Sequence, residues 1–218
     1  MTLREIDTPA LMLDLDAMER NLAKMARFFA TGRTRLRPHY KSHKCRALAR
    51  RQIEMGAIGM TCATLSEAEA LVSSGFTDIL ISSELAGDRK IGRFADLASQ
   101  ADMKAVVDNP KAAAAIGAAG RAARRRLNVL VNVNVGQNRT DVKPGAAVLE
   151  LARQVLAEGL SLRGLMGYEG HVAHQIEGPE KEAAYDSAMG GLMKCRDLLG
   201  ENATRLAFLA REERAPTT

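Results

Sequence analysis

The run Arg37-Pro38-His39-Tyr40-Lys41-Ser42-His43-Lys44-Cys45 holds two of the four histidines in the chain and places Lys41 where an apolar strand ends and a basic loop begins. A lysine crowded by Arg37, His43 and Lys44 has its ammonium form disfavoured by like charge, which lowers its pKa and frees the amine as a nucleophile. That suits Schiff-base formation with an aldehyde. The competing reading of these residues is a basic, solvated loop between a strand and a helix. A metal held by His39 and His43 is the weaker reading, because both rings would have to face inward from a strand and its loop.

Two further runs carry chemistry. Val131-Asn132-Val133-Asn134-Val135-Gly136-Gln137-Asn138-Arg139 reads as a strand ending in Gly, with Arg139 offering a fixed charge to a phenolate or carboxylate oxygen. Gly164-Leu165-Met166-Gly167-Tyr168-Glu169-Gly170-His171-Val172-Ala173-His174 reads as a strand ending in a proton-handling or ring-stacking surface. His171 and His174 could share a metal if the segment turns helical, but nothing else there completes a ligand set. Glu169 alternates away from Tyr168 and can face the helices instead. No GxGxxG, Walker loop or GxSxG occurs, so dinucleotide binding, P-loop chemistry and serine hydrolysis lack support. Cys62 and Cys195 read as structural, and Cys45 alone lies near the lysine.

These residues must be positioned by alternating elements. Strands are expected at 10–15, 36–41, 59–64, 78–83, 103–108, 127–134 and 162–170. Helices are expected at 16–29, 46–55, 66–74, 89–100, 110–123, 146–158 and 180–199. A capping box is read from Ser66 to Glu69, a cap with Pro at the first turn from Asp108-Asn109-Pro110, and left-handed helix ends at Gly56, Gly75 and Gly159. Strands alternating with helices of this length form a parallel sheet. Seven units over some 200 residues favour an α/β barrel of the TIM type, whose active site lies at the C-terminal ends of the strands. That rule selects His39, Tyr40, Lys41, Thr64, Ser82, Ser83, Asp108, Asn134, Gln137, Arg139, Tyr168 and His171.

Composition narrows the class. The chain has 218 residues, 46% hydrophobic and 26% charged, with a net charge of +5. No run approaches the ~20 apolar residues of a membrane span, and the charged opening MTLREIDTPA lacks the apolar stretch of a secretory signal. Three cysteines without close pairing argue against a disulfide framework, so a cytoplasmic protein is expected. Arg121, Arg124, Arg125 and Arg126 end an Ala-rich helix, where the macrodipole favours cations, so no nucleic-acid partner is needed to explain them.

Taken in order, the three runs resemble the alanine-racemase-type (fold type III) family of pyridoxal 5′-phosphate (PLP) enzymes, within its D-threonine aldolase / D-serine dehydratase-like branch. The likeness starts at Thr8-Pro9-Ala10-Leu11-Met12-Leu13-Asp14-Leu15-Asp16 with Glu19-Arg20-Asn21. It continues through the lysine run, Gly136-Gln137-Asn138-Arg139 and Gly167-Tyr168-Glu169-Gly170-His171, and covers residues 6 to 199. The resemblance implies Lys41 as the Schiff-base lysine and a base at the substrate α-carbon. It implies Arg139 facing the cofactor ring oxygen, Tyr168 and His171 lining the ring, and His39 and Thr64 as further contacts. It also implies a lyase for D-configured β-hydroxy amino acids, cleaving them to glycine and an aldehyde or eliminating the hydroxyl as water.

The resemblance also sets expectations where the pattern departs. Relatives carry a Gly-rich loop for the cofactor phosphate, then a β-domain whose ligands hold a divalent metal (Mn, Mg or Zn). Neither is found after Leu199, so no metal ligand is assigned in this chain and the barrel is expected to be incomplete. The expected organisation is a barrel domain over 1–200 and an atypical tail over 201–218 in a truncated or frame-shifted chain. Strand 10–15 can pair with the missing β-domain, and the tail can add a short strand at 204–209. A small-molecule amino-acid substrate, no membrane partner and, in the full-length form, a homodimer are expected. The alternatives are an amino-acid racemase, which needs a second acid/base on the opposite ring face, or a non-catalytic PLP-homeostasis barrel.

Overall fold

In the computed structural model, which describes residues 2–32, 34–201 and 208–211, six parallel strands alternate with helices in chain order. The strands are β1 (Met60–Cys62), β2 (Asp78–Glu84), β3 (Asp102–Val107), β4 (Asn128–Val133), β5 (Ser161–Gly167) and β6 (Phe208–Arg211), hydrogen-bonded in the order β1-β2-β3-β4-β5-β6. Unbroken sequential order is that of a barrel wall; a doubly wound sheet reverses direction part-way. The helices are α1 (Leu15–Ala30), α2 (Arg46–Glu54), α3 (Leu65–Val72), α4 (Asp88–Leu97), α5 (Pro110–Ala122), α6 (Ala146–Ala157), the short α7 (Gly170–Ala173) and α8 (Pro179–Glu201). None among the described residues is long and apolar enough to cross a membrane.

Alternation along the strands separates two apolar regions. Ile79, Ile81, Met103, Ala105, Val107, Val129, Val131, Val133 and Leu165 join the large core under the helices, with Ile91, Phe94, Ile116, Leu151 and Leu192. The opposite parity gives a second cluster, Leu80, Val106, Leu130 and Met166, one residue from each of β2 to β5. This is the apolar layer inside the barrel wall. The next inward positions toward the strand C-termini are polar, and the site is built there.

Three expectations are corrected. Residues 10–15 do not form a strand: 10–14 have no regular structure, and Leu11, Met12 and Leu13 are exposed with no neighbouring strand among the described residues. Asp14 instead caps α1, accepting from the Ala17 amide. Residues 36–41 are an edge segment and not a full strand. Leu36 and Pro38 carbonyls accept from Ile58 and Thr61, and His39 alone bridges to Thr61. Pro38 has no N–H to continue a ladder, and Tyr40–Ser42 turn into a 3₁₀ helix. The cap of α3 is Thr64, two residues earlier than expected, with its side chain accepting from the Glu67 amide. Asn109 with Pro110 caps α5, and Gly56, Gly75 and Gly159 adopt positive φ, as expected. The tail strand appears as β6, parallel to β5, although 204–207 of the expected span and 212–218 of the tail lie outside the described residues.

Candidate active site

His39 and Lys41 stand where the edge segment passes the C-terminal end of β1. The His39 Nδ1 accepts from the Lys41 backbone N–H at 3.3 Å, which puts the ring hydrogen on Nε2. Nε2 then donates to Ser82 Oγ (3.3 Å), and Ser82 donates to the Cys62 carbonyl (3.2 Å). Burial, and then the nearby Lys41 charge, push His39 down to about 4. The ring is therefore a neutral, oriented group at neutral pH. Burial pushes the Cys62 thiol up to about 12, in line with a structural role.

Lys41 itself is exposed. The neighbours expected to crowd it are engaged elsewhere. Arg37 grips Asp78 through two 2.9 Å bonds at the opposite end of β2, Lys44 faces Glu67 at 3.6 Å, and His43 contacts Gln52. The like-charge account of its reactivity is corrected accordingly. The same contacts turn His43 away from His39 and remove the two-histidine metal reading.

The second and third runs meet. The Arg139 guanidinium lies 5.3 Å from the Tyr168 ring centroid, a cation–π stack. The His171 ring lies against Gly136, where a Cβ would come within 2.6 Å of Nε2, and Gly136 has φ +122°. Gly170 has no room for a side chain either, because a Cβ there would meet the Tyr168 ring at 2.4 Å. The glycines of both runs are therefore what lets Tyr168 and His171 lie close to the backbone. Thr64 is occupied as a helix cap beside Ser66. Glu169 is buried, at the start of α7.

Sequence reasoning passed over a polar cluster between these walls. Asn132, 1% exposed, donates to Glu84 (2.9 Å) and to Asp141, and Thr140 lies 3.1 Å from both carboxylates. Burial, and then the Glu84 charge, raise Asp108. Burial raises Asp141 against the Thr140 hydrogen bond, with Glu84 adding to the rise. The signal was available, because Leu130, Asn132 and Asn134 share the inward parity of β4. Among the described residues no group of three or more His, Cys, Asp or Glu is placed to hold a metal ion.

The donor set fits PLP at its aldehyde and ring: a primary amine in Lys41, a guanidinium for a ring oxygen in Arg139, and an aromatic face in Tyr168. Asn132 Oδ1 and Gln137 Oε1 are buried acceptors with no partner among the described residues. The residues that fit no metal ion give no step through one.

Lys41 after the edge segment, and the Arg139–Tyr168 stack with His171 beyond β4 and β5, lie at the C-terminal end of the barrel wall, the end at which barrels of this kind carry their sites. The chain belongs to the alanine racemase N-terminal domain family, whose model matches residues 13–208. It is 40% identical over 173 residues to a D-threonine aldolase of Arthrobacter sp, covering 79% of this chain and 46% of that one. Among solved structures it resembles D-threonine aldolase from Filomicrobium marinum (TM-score 0.91, 39% identity, 94% of this chain and 56% of that one). It also resembles D-threo-3-hydroxyaspartate dehydratase from Delftia sp. HT23 (TM-score 0.90, 30% identity, 96% and 56%). The chain spans about half the length of the curated relatives it matches.

Proposed function

We propose that this chain is the PLP-binding barrel of a lyase acting on D-configured β-hydroxy amino acids, by aldol cleavage or by loss of the hydroxyl as water. What carries the reading is one juxtaposition: an exposed primary amine at Lys41 at the same barrel end as the Arg139–Tyr168 stack and His171. The relatives named as D-threonine aldolase and D-threo-3-hydroxyaspartate dehydratase support the substrate class. When bound, PLP supplies an electron sink for the charge left on the α-carbon as a bond to it breaks.

The residues would divide the work as follows. Lys41 would hold the cofactor aldehyde and move a proton at the α-carbon. Arg139 would hold the ring oxygen, with its charge steadied on the Tyr168 face. Tyr168 would line the ring. His171, exposed beside Gly136, would exchange a proton at the substrate hydroxyl or α-carbon. His39, neutral and fixed by Ser82, would support Lys41 without competing for its proton, and Thr64 would act from the start of α3. Residues 1–200 as the barrel domain, pairing of two copies and a cytoplasmic setting belong to the same proposal.

The test is to mix the purified chain with PLP, reduce with borohydride and map the modified lysine by mass spectrometry. Labelling confined to Lys41, and lost in Lys41→Ala, is expected. Labelling spread over surface lysines, or none at all, overturns the site. Incubation with D-threonine, scoring glycine and acetaldehyde against 2-oxobutyrate and ammonia, then separates cleavage from dehydration.

A further inference from the structure

We propose that Glu84 is a positioning residue, holding from the end of β2 the loop that presents Arg139 to the site; this rests on the reading of Arg139 as a cofactor contact.

The loop leaves β4 at Asn134 and returns at Val142. Its two ends are fastened together, because Asn134 N–H donates to the Val142 carbonyl and Val142 N–H to the Asn132 carbonyl, each at 2.9 Å. Asn134 also closes the first turn, its Oδ1 accepting from the Gly136 and Asn138 amides. Between these fixings the backbone turns left-handed twice: Asn138 has φ +52°, a conformation Asn adopts readily, and Asp141 has φ +108°, which is unusual for a residue with a side chain. Arg139 lies between the two.

Glu84 supplies a contact to this loop from another strand. Its Oε1 accepts from Thr140 Oγ1 (3.1 Å), the residue next to Arg139, and from Asn132 Nδ2 (2.9 Å). The same two donors reach Asp141, so each amide hydrogen of Asn132 serves one carboxylate and the Thr140 hydroxyl lies between both. Glu84 therefore ties β2 to β4 and to the far end of the loop in one contact set. Without it, the side-chain partners of Thr140 and Asp141 among the described residues lie on their own loop and on β4. The carboxylate lies beside Asp108 and Asp141 and forms no ion pair with a cation among the described residues, so stability alone does not account for it.

The experiment uses the full chain without added PLP. Amide hydrogen exchange of the 134–142 segment is compared in wild type, Glu84→Ala and Glu84→Gln. Loss of the acceptor should speed exchange there about tenfold, one hydrogen bond's worth, with segments at the other barrel end unchanged. Glu84→Gln keeps a carbonyl acceptor and should return exchange to within about twofold of wild type. PLP affinity is then measured in a cycle with Arg139→Ala. Glu84→Ala should weaken binding in the wild-type background and change it less than about twofold once Arg139 is gone. Unchanged loop exchange overturns the proposal, as do faster exchange throughout the barrel or additive effects in the cycle. If Glu84→Ala does not fold, Thr140→Val removes the same contact from the exposed side and is judged by the same readings. Failure of PLP to label Lys41 would refute the proposed function, and the exchange comparison would still decide whether Glu84 holds the loop.

Discussion

The two ends of the barrel handle buried polarity in opposite ways. At the strand N-termini, Asp78 takes Arg37 at 2.9 Å and Lys104 at 2.6 Å, Lys104 also takes Asp102 at 2.7 Å, and Asn128 closes the set on Asp102. Lys104 is only 3% exposed, and its charge is matched on both sides. At the strand C-termini, Glu84, Asp108 and Asp141 gather like charge, Asn132 and Gln137 keep acceptors without a partner among the described residues, and His39 is held neutral. Groups that satisfy one another have nothing left for a ligand. Groups held in mutual conflict are where perturbed proton affinities and binding concentrate. One end is a fastening and the other carries the proposed site, and substitutions at the two should separate stability from binding.

The sharpest separation is expected at Lys41. Lys41→Ala should abolish borohydride-trapped PLP while leaving the urea unfolding midpoint nearly unmoved, because the side chain is exposed. Full trapping on another residue would break the contrast outright. The mirror experiment is Lys104→Met. It leaves Asp78 and Asp102 without their shared cation and should cost about 3 kcal/mol in urea unfolding, near the low end for a broken buried pair, because both carboxylates reach solvent. PLP trapping by the folded fraction should be unchanged. A variant that melts like wild type would show that the N-terminal network holds nothing together.

The fastening was harder to read in the sequence than the site. Five of the strands and all the longer helices follow from periodicity and caps, because their apolar faces repeat with a single period. Arg37 was read as a neighbour of Lys41, yet Pro38 and the extended backbone turn it to the other end of β2. Four positions along an edge segment are enough to send side chains to opposite ends. Segment 10–15 has the apolar pattern of a strand, but pattern does not supply a ladder partner. Asn132 was missed because a polar residue inside a Val-rich strand becomes informative only once the barrel interior is counted in layers, and Glu84 because it lies one residue past the expected strand 78–83. The roles proposed for Lys41, Arg139, Tyr168 and His171 come from the family resemblance, because each residue type alone has a commoner reading as a solvated loop or a packed ring.

Within the mouth, Gly170→Ala tests whether the Arg139–Tyr168 stack belongs to the site. A Cβ at 2.4 Å from two ring carbons forces the Tyr168 ring to move, because the new atom is fixed to the backbone. PLP affinity should fall about tenfold, with about 1 kcal/mol lost in stability from the displaced packing. An unchanged affinity alongside a measurable stability loss would reassign Tyr168 to the fastening class and remove it from the binding wall.

The smallest effect expected is also the one that sets the two ends apart by pH. His39 has a folded pKa of about 4 against 6.5 for the free side chain, so above pH 6.5 both folded and unfolded chains carry it neutral. As pH falls below 6.5 the unfolded chain takes up the proton first. The stability present above that pH is then lost progressively until the folded form also protonates near 4. Part of the ring is solvated, so the loss across that window should total about 1 kcal/mol. Asp108 and Asp141, both raised, act with the opposite sign on acidification, because the folded chain binds their protons more readily. Asp78 at the other end is held low: its bonds to Arg37 and Lys104 outweigh burial, so it weakens only in stronger acid. His39→Gln keeps a polar contact for Ser82 and removes the titration. Subtracting its pH–stability curve from that of wild type should leave a single step between pH 6.5 and 4. If the two curves run parallel through that interval, His39 is not held neutral, and the support it would lend Lys41 goes with it.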